Sequence, residues 1–481
     1  MAEKKNFFIS TSIPYVNAAP HIGHALEFVQ ADVVARFHRL MGDSVYFLSG
    51  TDDNALKNVQ AAEKVGRPVG EYVHENAQKF VSLLKALSIS HDDFIQTSLD
   101  ARHLSGAQKL WSSCKKEDIY KKKYKGLYCV GCEEFKTEKD LVNGECPLHP
   151  GRKLEGVEEE NYFFKLSNYQ NTLEKLISSD ALKILPEGRK NETLSFIRGG
   201  LEDFSISRSK ERAHGWGIPV PGDDSQIMYV WFDALSNYIN ALGYGEGSEQ
   251  FEKFWTNGNE RVHAIGKDIN RFHTIYWPAM LLSAGLATPT LAFIHGFITI
   301  DGQKMSKTTG NVIDPNDLIN EYGAEVTRYF LTRKISTFGD SDVTLEKLKE
   351  SYNADLANGI GNLVSRVMKL SSTYLKEAPE IPEKSIPDTF KEALSNYEIQ
   401  KAADIIWESI QALDLYIQES KPFEVVKTNE EKAKEIINEM VIHLYTIGRM
   451  LHPFMPELNI QIKKLVKENK MPEKPLFPRK D

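Results

Sequence analysis

Between Pro20 and Gly42, Leu26, Val29, Val33, Phe37 and Leu40 recur three or four positions apart, the spacing that lines one face of an α-helix. The preceding stretch, "KNFFISTSIPYVNAAP", is a short apolar run broken by Pro and Asn, which predicts a strand entering a turn. His21, Gly23 and His24 therefore fall at a strand-to-helix junction. The free N–H groups and dipole of a helix N-terminus attract anions, and glycine lets a ligand approach the backbone. Residues 274–294 carry no formal charge and are long enough to span a bilayer. Pro278, Gly285 and Pro289 divide them, however, so they predict a buried helix, "YWPAMLLSAGL", then a turn and a strand, "LAFIHGFITI". From about Leu345 the pattern turns helical. Stretches at 345–372, 390–419 and 430–457, joined by "KEAPEIPEKSIPD" and "ESKPFEVVKTNE", predict a bundle.

Composition narrows the class. A chain of 481 residues has room for roughly three domains. With 41% hydrophobic and 26% charged residues it has the balance of a soluble globular protein. The start, "MAEKKNFFIS", lacks a secretory pattern, and a cytoplasmic protein with no membrane partner is expected. The net charge of −8 gives no global sign of nucleic-acid binding, although such footprints are local. The basic run "KKEDIYKKKYKGLY" reads, on charge alone, as a solvated face. Four cysteines are too few for a disulfide scaffold in a chain this long. Three of them lie in "YCVGCEEFKTEKDLVNGECPLHP": Cys129 and Cys132 form a CxxC, and Cys146 and His149 a CxxH thirteen intervening residues later. Three thiolates and an imidazole at this spacing suit one zinc ion and leave no open coordination position, which predicts a structural site. Cys114 stands apart and reads as a small buried hydrophobe.

A second loop gives the histidines a partner. In "FIHGFITIDGQKMSKTTGNVIDP" a strand ends at Asp301 and Gly302, and Lys304 and Lys307 follow in a hydroxyl-rich, Gly-flanked loop that suits a polyphosphate. Together HxGH and KMSKT resemble the HIGH and KMSKS signatures of class I aminoacyl-tRNA synthetases. Over nearly the whole chain the resemblance is to methionyl-tRNA synthetases with one zinc knuckle. "PYVNAAPHIGHALEFVQADVVAR", the cysteine cluster, "YVWFDALSNY", "IGKDINRFHTIYWPAM" and "NADLANGIGNLVSR" stand in that family's order.

The resemblance implies an α/β fold: a Rossmann-type parallel-sheet catalytic domain with a zinc-bearing insertion, followed by an all-α helical bundle. Its segments are expected at 1–117 (first catalytic half), 118–225 (insertion), 226–295 (second catalytic half), 296–344 (KMSKS loop and stem contact) and 345–481 (anticodon binding). It implies activation of L-methionine with ATP and magnesium, then transfer to tRNA(Met). His21, Gly23 and His24 would serve the phosphates, Lys304 and Lys307 the triphosphate, and Gly266 and Asp268 the adenosine. Ile13, Tyr15, Trp231, Ala234, Leu235, Tyr238, Ile269 and His273 would line the methionine side chain, with Asp52 on its ammonium. Asn362, Arg366 and Phe423 would read the anticodon. The family often has Asp-Glu-His-Gly where this chain has Asp52, Asp53, Asn54 and Ala55, serine where Thr308 closes the KMSKT loop, and Trp where Phe423 stands. The pocket residues lie outside the cysteine cluster, so loss of the metal is expected to spare activation more than transfer. A chain ending at Asp481, without the further domain that dimerises some relatives, is expected to be a monomer.

Two other readings remain at this stage. Isoleucyl, valyl and leucyl enzymes carry a large editing insertion for which Cys146–Tyr229 has no room, and cysteinyl enzymes hold zinc in the pocket itself. A non-catalytic tRNA-binding paralogue would have no need of His21, His24, Lys304, Lys307 and Asp52.

Overall fold

The computed structural model describes residues 4–136, 138–300, 302–304, 313–382 and 386–480, with the backbone alone at 139, 303 and 304. Six parallel strands form the central sheet: β1 (Asn6–Thr11), β2 (Ser44–Thr51), β3 (Asp93–Gln96), β4 (Lys183–Leu185), β5 (Glu260–Gly266) and β6 (Leu291–His295). Their order across the sheet is β3-β2-β1-β5-β6-β4. Ile9 on β1 sits between Phe47 on β2 and Val262 on β5. The run of apolar residues in β1 follows from this central place, because a parallel strand covered on both faces needs side chains that bury in both directions. The chain forms two compact units, one of 1–20, 42–85 and 90–295, the other of 21–41, 86–89 and 296–481. The Rossmann-like sheet and the insertion belong to the first, the helical region to the second.

In the first unit, the insertion is built on two long antiparallel strands, Ile119–Cys129 and Glu155–Phe164. Their register sets Lys123 opposite Glu160 and Lys125 opposite Glu158, while Lys121 reaches Asp223 at 2.6 Å. The basic run is thus one side of a charge-paired ribbon. Cys114 is buried, and burial pushes its thiol up to about 12, as befits a packing residue.

In the second unit, the helix Ile22–Met41 buries Leu26, Val29, Val33 and Phe37, as the periodicity requires. Leu40 is only partly buried, while Glu27, Gln30 and Asp32 on other faces are buried. The one-sided pattern understates how far this helix is covered. For Asp32 the cause is an ion network, in which it meets Arg36 at 2.7 Å and the fully buried Arg328 at 2.7 Å. Arg328 also donates to the carbonyls of Leu87, Pro453 and Phe454. The stretch read as one strand, "LAFIHGFITI", is two, because β6 ends at His295 and Ile298–Ile300 joins a separate three-stranded sheet. The stretch 390–419 is two helices, Asp388–Ser395 and Ile399–Ser420, parted at Tyr397, whose φ of 61° is left-handed. Helices Asn362–Tyr374, Glu430–Leu451 and Pro456–Glu468 complete most of the bundle. Among the described residues no helix is long and apolar enough to cross a membrane.

Candidate active site

At the start of Ile22–Met41 the His21 and His24 rings lie 3.9 Å apart. His21 Nδ1 accepts the Gly23 N–H and His24 Nδ1 accepts the His21 N–H, each at 3.1 Å. An Nδ1 used as acceptor puts the neutral ring's proton on Nε2, so in that form each ring has its donor at Nε2, at a helix N-terminus. The Ile22 N–H donates to the Ile313 carbonyl, which fixes the far end of the lysine loop beside this helix start. The near end is a hairpin in which Gln303–Lys304 pairs with Ile298–Ile300, anchored by Asp342, which accepts the Gly302 N–H at 2.8 Å and the Thr299 hydroxyl at 2.9 Å. Lys307 lies outside the described residues, and the Lys304 side chain is not described.

In the first unit, the C-terminal ends of neighbouring parallel strands gather the expected pocket, the position where open α/β sheets bind ligands. Tyr15 and Asp52, just past β1 and β2, form a parallel bridge. Asp52 is buried, and burial, reinforced by Asp233 and Asp53, pushes its carboxyl well above the usual range. Such a group calls for a cation. Asn54 supports it from both its ends: its N–H donates to Asp52 at 3.1 Å, and its side-chain amide donates to Asp233 at 2.8 Å. Asp233 is held in turn by His103 at 2.5 Å. The departure from the family's run at Asn54 therefore leaves Asp52 anchored. Neither His103 nor Asp233 was singled out from the sequence. Asp233 sits within "YVWFDALSNY", but His103 is isolated and carried no signal.

The pocket wall is aromatic. Trp231 stacks on Phe272 with centroids 3.6 Å apart and stands edge-on to Tyr15 and His273. The Tyr238 hydroxyl donates to His273 Nε2 at 2.7 Å, while His273 Nδ1 donates to the Ile269 carbonyl. Behind them His263 accepts from Trp277 and donates to Ser10, and burial holds it well below its ordinary pKa. Ala234 and Leu235 are buried on the same helix, whereas Ile13 and Ile269 are partly buried. Aromatic rings and hydrogen-bonded imidazoles beside the buried Asp52, itself flanked by the buried Asp53 and Asp233, suit an α-amino acid with an apolar, polarisable side chain. At the end of β5, Gly266 leaves room that a Cβ would lack, since one there would lie 2.9 Å from the Asp268 carboxylate.

Cys129, Cys132, Cys146 and His149 bring their ligand atoms within 4.8 Å of one another. The Sγ of Cys132 lies 3.5 Å from that of Cys146 and 3.3 Å from His149 Nδ1. A metal bound tetrahedrally at ordinary Zn–S lengths would set its sulfurs roughly 3.8 Å apart, so the donor set fits a closed four-coordinate ion. The loop also reaches the pocket. The Trp231 indole N–H points at the Cys132 carbonyl at 3.5 Å, and Lys57 Nζ donates to the Gly131 carbonyl at 2.9 Å. These contacts set the loop backbone against the expected pocket wall.

The family model for class I tRNA synthetases (M) matches residues 7–158 and 150–368. The chain belongs to the methionyl class I tRNA synthetases. It is 39% identical to the methionine–tRNA ligase of Thermotoga maritima over 97% of this chain and 76% of that one. The Brucella suis enzyme of the same name is 38% identical, covering 94% and 90%. A solved Mycobacterium tuberculosis methionyl-tRNA synthetase in complex with methionyl-adenylate superposes with a TM-score of 0.89 at 34% identity, over 99% of this chain and 100% of that one.

The family's bundle residues stand at the surface of the second unit. Asn362 is exposed at the first turn of its helix, and Arg366, one turn on, pairs with Asp414. Lys421 adopts a left-handed φ of 40°, which ends Ile399–Ser420 and starts the short helix Pro422–Val425. Phe423 is carried on that turn with 44% of its surface exposed, so it is not an interior packing residue.

Proposed function

We propose that the chain joins L-methionine to ATP, forming methionyl-adenylate and pyrophosphate, and passes the methionyl group to the 3′-terminal adenosine of tRNA(Met). The observation that carries the substrate is Asp52, a buried carboxyl with no ion pair among the described residues, beside the wall of Trp231, Tyr238 and His273. Asp52 takes the α-ammonium, and Ile13, Tyr15, Ala234, Leu235 and Ile269 complete the side-chain site. A methionine carboxylate oxygen attacks the α-phosphorus in line as the bond to pyrophosphate breaks. The Nε2 donors of His21 and His24, with Gly23, meet the charge that develops on phosphorus, and Lys304 and Lys307 hold the departing triphosphate end. Gly266 and Asp268 seat the adenosine. Magnesium accompanies ATP and neutralises its phosphates, while zinc held by Cys129, Cys132, Cys146 and His149 braces the insertion. In the second step a terminal ribose hydroxyl attacks the adenylate carbonyl, AMP leaves, and the hydroxyl proton is lost.

Segments 1–117, 118–225 and 226–295 make up the catalytic domain and its insertion in this reading, 296–344 the KMSKT and stem-contact segment, and 345–481 the anticodon domain. Asn362 and Arg366 hydrogen-bond base edges and Phe423 stacks on an unpaired base. The enzyme works as a cytoplasmic monomer, which sedimentation tests. Charging with labelled methionine tests the whole reading: a tRNA with the CAU anticodon is charged and the same tRNA with a replaced anticodon is not. Equal charging of both would reject the anticodon assignment.

A further inference from the structure

The pocket is tied to the cysteine loop by a side chain outside both signatures. Lys57 lies on the helix Leu56–Lys64, directly after the turn that carries Asp52 and Asn54. Its ammonium donates to the Gly131 carbonyl at 2.9 Å and rests 3.5 Å from the centroid of the Tyr15 ring. Its own backbone N–H donates to Glu133 Oε1 at 2.7 Å. Glu133 is fully buried, also accepts the Tyr128 hydroxyl, and faces the buried Arg208 at 3.5 Å. Both ends of Lys57 are therefore held by the cysteine loop. Tyr15 stands edge-on to Trp231 at 6.3 Å, and its buried hydroxyl has no hydrogen-bond partner among the described residues. No hydrogen bond from that hydroxyl sets the ring's tilt, and the polar contact on the ring is the cation on its face.

We propose that Lys57 is a positioning residue for amino-acid selection, holding the Tyr15 ring at the angle at which Tyr15 and Trp231 enclose the substrate side chain. The inference rests on the reading of Tyr15 and Trp231 as pocket residues. It accounts for a lysine kept partly buried where a neutral side chain would avoid the cost of desolvating a charge.

The test uses the full chain with Lys57→Met, Lys57→Arg and Tyr15→Ala. Methionine binding is measured by calorimetry without ATP, pyrophosphate exchange gives kcat and both KM values, and bound metal is counted. For Lys57→Met the methionine Kd and KM rise about three- to thirty-fold, the range of a desolvated cation–π contact. Its kcat and ATP KM stay within about two-fold, and its metal content is unchanged. Lys57→Arg, which keeps a donor and a cation, recovers much of the loss. Lys57→Gln, which keeps a donor for Gly131 and removes the charge, replaces Lys57→Met if that variant does not fold. Unchanged methionine affinity in a folded, metal-loaded charge-removing variant overturns the proposal, as does an affinity loss that merely tracks metal loss. If Tyr15→Ala leaves methionine affinity intact, the pocket reading itself has failed. A defect in Tyr15→Ala beside normal affinity in Lys57→Met rejects Lys57 alone.

Discussion

Asp52 shows how one residue trades stability for binding. Its folded pKa lies above the unfolded value. Its protonated form therefore favours the folded state, a contribution fully present below the unfolded pKa and lost as pH rises through the folded one. Asp52→Asn should raise Tm at neutral pH while weakening methionine binding at least about a hundred-fold, since the buried ammonium loses its counter-ion. Binding of the ammonium needs the ionised carboxylate. The wild-type methionine Kd should thus tighten as pH rises through the raised Asp52 pKa, and the Asp52→Asn profile should be flat. Calorimetry across pH checks both. The resemblance pointed to Asp52 through its place in the family's order, and the structure shows it buried. The support from Asn54 was not legible, because its partner Asp233 lies 179 residues away and no local pattern signals that contact.

The same division holds for elements. The knuckle was legible because its four ligands fall in two short, regularly spaced pairs, and β1 because Phe7, Phe8 and Ile9 run together without a polar break. The joint coverage of the helix Ile22–Met41 was not, because Asp32 looks like a solvent-facing residue until Arg328 is placed. Removing that partner should be costly. Arg328→Met leaves a buried carboxylate with one cation fewer, and denaturant unfolding should show a loss of about 3–5 kcal/mol. In the knuckle, a Cβ on Gly131 would lie 2.6 Å from the His149 ring. Gly131→Ala should displace that ligand, leave less than about half an equivalent of tightly bound metal, and raise the methionine KM through the shifted loop carbonyls. Metal analysis beside exchange kinetics checks this, and a full metal complement would exclude the steric argument.

Across the whole molecule, activation needs only ATP and methionine, whereas charging, on the proposed anticodon assignment, also needs the bundle. Phe423 should then separate the two steps. Base–aromatic stacking is worth about 1–3 kcal/mol, so Phe423→Ala should lower charging roughly ten- to hundred-fold. Adenylate formation and Tm should hold, because the ring is exposed. Phe423→Trp should keep or improve charging, its larger ring offering the base more surface. The overall architecture was legible chiefly through the order of motifs along the chain. Periodicity alone predicted helices but missed the break at Tyr397 and the split of "LAFIHGFITI" between two sheets, both decided by tertiary context.

Methionine-dependent adenylate formation is read out by ATP–pyrophosphate exchange with each proteinogenic amino acid in turn. Methionine should drive exchange in the wild-type chain, Asp52→Asn should abolish it at ordinary methionine concentrations, and leucine, isoleucine, valine and cysteine should drive little. Exchange driven equally by one of those amino acids, or none with methionine in a folded, metal-loaded chain, would reject methionine as the substrate.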